Sequence, residues 1–385
     1  MLIAMPALTG IRFFAVYHIF MFHLVVTYWG RKRADEATVL SSFDAAPEWV
    51  LKLAVNGWMS TSLFFLLSGF ILAYLYWGED GEINTSPGRF WSLRAARIWP
   101  VHLLVLLLMA PGLAATNAWN GTSPELLIAS GAATVALVQA WIPPLIPHWS
   151  WPTWTLSVLV FLYALTPILM RSLARLSPQQ MILALGAMPV ISLIPTGAYA
   201  LRKASGAPDS MYVDMVVANN PLFWVPYYAA GMLMTRVFSV SRANPPQPRP
   251  SWGSWGDLAC LAILTLAATQ WIDQPMKFAL RQGILMPLYM IIVLDLARGR
   301  GLLAKLMSLP GTRFLGETAY AIFIWQAAIL VLVSMSSIAM PWIVPYQLWI
   351  AMAGVVVLSV ASTYLIEKPL LRVIRCRYID RPTAG

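Results

Sequence analysis

The chain has 385 residues, of which 59% are hydrophobic and only 11% charged, and its mean hydropathy is +0.68. That balance excludes an ordinary soluble globular protein and points to a polytopic membrane protein with length for roughly ten spans of about 20 residues each. The formal net charge of +10 falls mainly between apolar runs, where it sets orientation in a membrane, and forms no basic domain for nucleic acid.

In chain order, eleven apolar stretches read as candidate helices: 11–29, 57–77, 98–116, 127–142, 153–170, 180–198, 222–237, 258–271, 280–296, 316–335 and 346–366. The expected fold is all-α, a transmembrane helix bundle of about ten crossings. Residues 1–377 would form one integral domain and residues 378–385 a short cytoplasmic tail. Before Arg12 there is no Lys or Arg and no small-residue cleavage site, so the first stretch reads as a retained helix rather than a removed signal peptide. Arginines cluster at Arg89/Arg94/Arg97, Arg171/Arg175, Arg236/Arg242/Arg249, Arg298/Arg300/Arg313 and Arg372/Arg375/Arg377, joined by Lys305 and Lys368. All five clusters favour the cytoplasm, which puts both termini there. An even number of crossings must then separate Arg97 from Arg171, whereas three candidates lie between them. One of the two stretches between 98 and 142 is therefore expected to re-enter, with Pro111-Gly112 marking the first as the break. "RKR" at residues 31–33 is an exception to this orientation, offset by Asp35, Glu36, Asp44 and Glu48; Lys277 and Arg281 are a lesser one. Prolines make residues 241–255 an extended linker. No internal repeat is evident by eye, unlike many transporters.

The first stretch carries "GIRFFAVYHIFMFH" at residues 10–23. Arg12 and His23 are eleven positions apart, which on an α-helix is about 1100°, close to three full turns, with a rise of ~16 Å. They share a face that offers a fixed positive charge at one end and an imidazole deep in the membrane. His18 is rotated by about 240° from Arg12 and faces elsewhere. Ionisable groups at that depth are expensive, which makes His23 a functional candidate; the competing reading is a histidine that only hydrogen-bonds a neighbouring helix. In "SLRAARIWP", Arg94 and Arg97 are i, i+3 neighbours whose guanidinium forks suit phosphate, with a topology signal as the alternative. Three arginines near one membrane face and a histidine half a bilayer away suit a substrate with a polyphosphate handle and a reactive end, as in coenzyme A.

Six segments also resemble, in content and order, the signatures of the acyltransferase-3 family of integral-membrane O-acyltransferases. They are Arg12-x10-His23, "LFFLLSGFILAYL" at 63–75, Arg94-x-x-Arg97 followed by Ile98 and Pro100, "WTLSV" at 154–158, "GETAYAIFIWQ" at 316–326 and "IEKPL" at 366–370. The resemblance runs from Leu8 to about Arg372. It implies transfer of an acyl group, often acetyl, from cytoplasmic acyl-CoA to a hydroxyl of a cell-envelope glycan, lipid-linked sugar or small molecule, in the bacterial inner membrane. It maps the essential histidine to His23 and the motif arginines, which would bind the phosphates of acetyl-CoA, to Arg12, Arg94 and Arg97. Two positions depart from the pattern: Leu159 stands where the family usually has glutamate, and Gln326 where many members have histidine. Neutral His23 is then the base for the acceptor hydroxyl, with an acyl-imidazole on His23 as the second route. Trp154, Ser157, Tyr320 and Gln326 are candidate substrate contacts, packing being the alternative at the first three.

Elsewhere the expectations are structural. His102 reads as a satisfied core histidine, His148 as part of an interfacial belt, Glu317 and Glu367 as ion-pair partners, and Asp295 with Arg298 as an i, i+3 pair. Cys260 and Cys376 suit neither a disulfide nor a metal cluster, and no metal-ligand spacing or phosphate loop is present. From a different functional class, a transporter or flippase of an anionic or lipid-linked substrate would use the Arg/His stripe as a path.

Overall fold

A computed structural model describes residues 4–32, 46–78, 81–243 and 253–376. It is a bundle of helices; one isolated bridge, Trp77 to Ile83, is the extent of β pairing among the described residues. Among the described residues seven helices are long and apolar enough to cross a membrane, eight if a pair bent by 41° at Met276–Ile284 and Met286–Ala297 counts as one span, a count that does not confirm the expected ten or so. Two further apolar helices, Pro124–Ala136 and Trp255–Thr269, fall short of that length.

The expected break at Pro111-Gly112 is absent. The helix Pro87–Trp119 runs unbroken through Pro100 and Pro111, its N-terminus capped by Ser86, whose side chain accepts from the Arg89 amide. An interior proline forfeits one backbone hydrogen bond, but in an apolar setting interruption of the helix would expose more unpaired groups. The chain breaks instead after the next helix, Pro124–Ala136, where Leu137 takes a left-handed conformation at φ 58° and short 3₁₀ turns follow. Most of the proline-rich linker and the expected tail, residues 378–385, lie outside the described residues, as does Arg33 of the "RKR" run.

The first helix, Pro6–Lys32, joins two cores. Its early residues Ala7, Leu8, Ile11 and Ala15 enter a large apolar cluster that includes Phe65, Trp224 and Met286. Its later residues Val16, Phe20 and Leu24 enter another with Ala319, Ile322 and Ile329. Lipid tails are as apolar as leucine, so helices associate here by close packing, which favours small residues at crossings. Gly69 of the helix Ser60–Tyr76 abuts the carbonyl of Tyr228, and Gly231 of the helix Val225–Ala243 abuts that of Leu66; a methyl group at either would collide with backbone.

Two π-helical turns carry charged residues into the bundle. Leu280–Ile284 carries Arg281, and Thr363–Glu367 ends in the buried Glu367. A π-turn adds a residue to the helical count and re-aims the side chains around it, which is why such turns recur at functional sites.

Candidate active site

The stripe on the first helix faces two cavities. Arg12 lines one of about 320 Å³, His23 lines another of about 400 Å³, and Ile19, between them in sequence, lines both. Thr61, Thr155 and Phe323 also border both, so these residues and Ile19 form a collar between an arginine chamber and a histidine chamber. His18 faces elsewhere, as the helical geometry requires, and bonds Ser60 Oγ at 2.9 Å and the Leu53 carbonyl at 2.8 Å.

In the arginine chamber Arg12, Arg94 and Arg97 come together with Tyr163, Tyr320 and Leu159. The three cations differ in their partners. Arg97 forms an ion pair with Glu367, whose other oxygen has no hydrogen-bond partner, and lies over the Tyr320 ring at 5.4 Å. Arg94 donates to the Tyr76 hydroxyl at 3.0 Å and stacks on Tyr76 and Phe90, while its buried Nε is unpartnered. Neither Arg94 nor Arg12 has a carboxylate at ion-pair distance among the described residues. With one carboxylate for three guanidinium groups, the chamber holds excess positive charge suited to a phosphate-bearing ligand. Tyr320 donates to the Ile98 carbonyl at 2.5 Å, which fixes its ring against the Arg94 and Arg97 helix.

His23 is 6% exposed and Gln326 fully buried. His23 Nδ1 lies 2.7 Å from Gln326 Oε1, and Gln326 Nε2 donates to the Phe323 carbonyl at 2.9 Å. The second bond fixes the amide orientation, so Oε1 accepts from Nδ1–H and the Nε2 of the imidazole is left with the lone pair. Trp151 stands edge-on to the ring at 4.1 Å between centroids. A buried, oriented imidazole on a cavity wall is equipped to take a proton from a hydroxyl.

Of the expected contacts, Trp154 lines the histidine chamber and Tyr320 the arginine chamber, whereas Ser157 and Gln326 line neither. Ser157 Oγ accepts from the Ala140 amide at 3.3 Å, and Gln326 sits behind His23, hydrogen-bonded to its Nδ1. His102 and His148 are structural, bonded to the Thr134 carbonyl and to Asn117 Oδ1 at 3.0 Å each. Glu317 pairs with Lys368. Asp295 accepts from the Gly256 amide at 2.7 Å, where the spacing suggested Arg298 as its partner. Cys260 and Cys376 are free thiols, and no group of metal-ligating side chains occurs among the described residues.

Sequence reasoning missed Lys277 and Arg281, both in the wall of the histidine chamber. The available signal was their exception to the charge orientation of the other clusters.

A family model described as "Acyltransferase domain" matches residues 5–368, nearly the whole chain. The chain belongs to the acyltransferase-3 family. This membrane acyltransferase is 31% identical over 179 residues to acyltransferase MdmB of Streptomyces mycarofaciens, a match covering 44% of this chain and 40% of that protein. The shared stretch is thus less than half of MdmB. It is 25% identical over 338 residues to the exopolysaccharide production protein ExoZ of Rhizobium meliloti, covering 86% of this chain and 94% of that protein. A shorter match, 42% over 55 residues, links it to protein 2 in the picA locus of Rhizobium radiobacter, covering 14% of this chain and 29% of that one. No solved structure is significantly similar to it.

Proposed function

We propose that this acyltransferase moves an acetyl group from cytoplasmic acetyl-CoA to a hydroxyl of a cell-envelope or exported glycan, free or lipid-linked. The observation that carries this reading is the pair of chambers meeting at one collar, an excess of guanidinium groups at one end and an oriented imidazole at the other. Arg12 and Arg94 bind the phosphates of the donor. Arg97, held by Glu367, frames the same chamber. The thioester, on its long flexible arm, reaches the collar, while the acceptor enters the histidine chamber.

There His23 Nε2 takes the proton of the acceptor hydroxyl as its oxygen attacks the thioester carbon. Collapse of the tetrahedral adduct breaks the C–S bond, and the imidazolium returns the proton to the departing thiolate. Both substrates are held at once, so proton transfer needs no covalent intermediate. Arginine clusters on the donor side support, by the positive-inside rule, a cytoplasmic donor side with both termini there, in the bacterial inner membrane. The name of ExoZ, matched over most of both chains, supports a polysaccharide acceptor.

The test is label transfer from [¹⁴C]acetyl-CoA in membranes containing the protein and native envelope glycans. Label on a glycan, together with stabilisation of the purified protein by CoA, supports the reading. No binding of CoA and no transfer brings forward a transporter for an anionic or lipid-linked substrate.

A further inference from the structure

The histidine chamber contains two cations that the proton transfer does not use. Arg281 is 9% exposed, and its Nε is buried without a hydrogen-bond partner. Its guanidinium lies over the Trp154 ring at 5.0 Å and the Trp224 ring at 5.2 Å, and its N–H groups have no hydrogen-bond partner among the described residues, which suits an in-plane ligand. Its backbone is pinned where Ser62 Oγ donates to the Arg281 carbonyl at 2.5 Å. Lys277 lies over Phe22 at 5.2 Å and Trp58 at 5.6 Å and forms no ion pair among the described residues. Among the described residues the chamber lining includes no Asp or Glu; Asp214 and Asp273, whose charge reaches Lys277, line neither chamber.

Two cations in a chamber whose described lining supplies no carboxylate are costly, and a neutral occupant would leave them so. An occupant with its own negative charge offsets them. We propose, resting on the acyltransferase reading, that the histidine chamber selects a saccharide acceptor bearing an oxyanion, a carboxylate or a phosphate, near the hydroxyl that is acylated. Arg281 receives that oxyanion through its free edge and Lys277 adds the second charge. Trp58 and Trp151, which also line the chamber, offer aromatic surface for the sugar. Charge therefore decides which glycan is modified.

The experiment uses the purified full chain in lipid nanodiscs at low ionic strength. Heat stability is titrated with a neutral glucose oligosaccharide, the same oligosaccharide carrying one glucuronate, and the same carrying a sugar phosphate. Each titration is repeated for R281Q and R281K, with acetyl-CoA as a separate ligand that reports folding and donor binding. The expected result is half-saturation by an anionic oligosaccharide at a concentration about tenfold lower than by the neutral one, a preference lost in R281Q and largely kept in R281K. Comparing the uronate and phosphate arms identifies which oxyanion the site takes. Equal response to neutral and anionic sugars, no response to either, or a preference that survives R281Q overturns the inference while donor binding, and with it the acyltransferase reading, stands. Loss of acetyl-CoA stabilisation in the parent protein would remove that reading as well.

Discussion

Gln326 holds His23 in a single tautomer: its Oε1 accepts from the imidazole Nδ1 at 2.7 Å, and its own amide is locked by donation to the Phe323 carbonyl at 2.9 Å. The arrangement does with a neutral amide what a carboxylate often does for a catalytic histidine, and it adds no charge to the buried site. Gln326→Leu should lower kcat by about 10–100-fold and leave the donor KM unchanged, since the residue lines neither chamber. Steady-state kinetics in membranes check this. A changed KM at constant kcat would make Gln326 a substrate contact.

Arg94 and Arg97 are neighbours in sequence with different partners, so their substitutions should separate. Arg94→Gln removes a guanidinium whose protein partner is a tyrosine hydroxyl, and it should raise the donor KM about tenfold without loss of folded protein. Arg97→Gln strands Glu367, which is 1% exposed, and should destabilise the bundle by ~3 kcal/mol. The double variant Arg97→Gln with Glu367→Gln should recover much of that stability. Thermal unfolding in detergent and donor titrations distinguish the two effects.

Leu159 lines the chamber that holds the three arginines. Leu159→Glu would introduce a carboxylate that competes with donor phosphates for the same cations, so the donor KM should rise, about tenfold at low salt and less at high salt. An unchanged KM would show that the phosphates bind away from this position.

Gly69 and Gly231 bring two helix backbones together. Gly231→Val should prevent that approach and abolish recovery of monodisperse protein from membranes, as read by size-exclusion chromatography. Gly112, half-buried but with open space where a Cβ would sit, should tolerate alanine.

The shared face of Arg12 and His23 was legible in the sequence because helical periodicity fixes which residues lie together. The pairing of Arg94 and Arg97 was legible for the same reason. What lay beyond periodicity is set by contacts between distant segments. The His23–Gln326 bond spans 303 residues, and nothing local to "AIFIWQ" distinguishes an amide that contacts substrate from one that orients a base. Lys277 and Arg281 looked like a minor irregularity in charge orientation; the π-turn that carries Arg281 into the chamber wall has no sequence mark. Pro111-Gly112 misled because a proline's effect depends on surroundings: in an apolar helix the intact remainder of the hydrogen-bond ladder prevails.

If His23 transfers the proton while the arginine chamber holds the donor, loss of the imidazole must separate chemistry from binding. The decisive comparison is acetyl transfer by His23→Ala at saturating [¹⁴C]acetyl-CoA, with donor binding measured on the same preparation. Donor affinity should stay within about twofold of the parent while the rate of glycan labelling falls by about 10²–10⁴-fold. Labelling at the parental rate would contradict this division of roles and leave His23 as a packing residue between two helices.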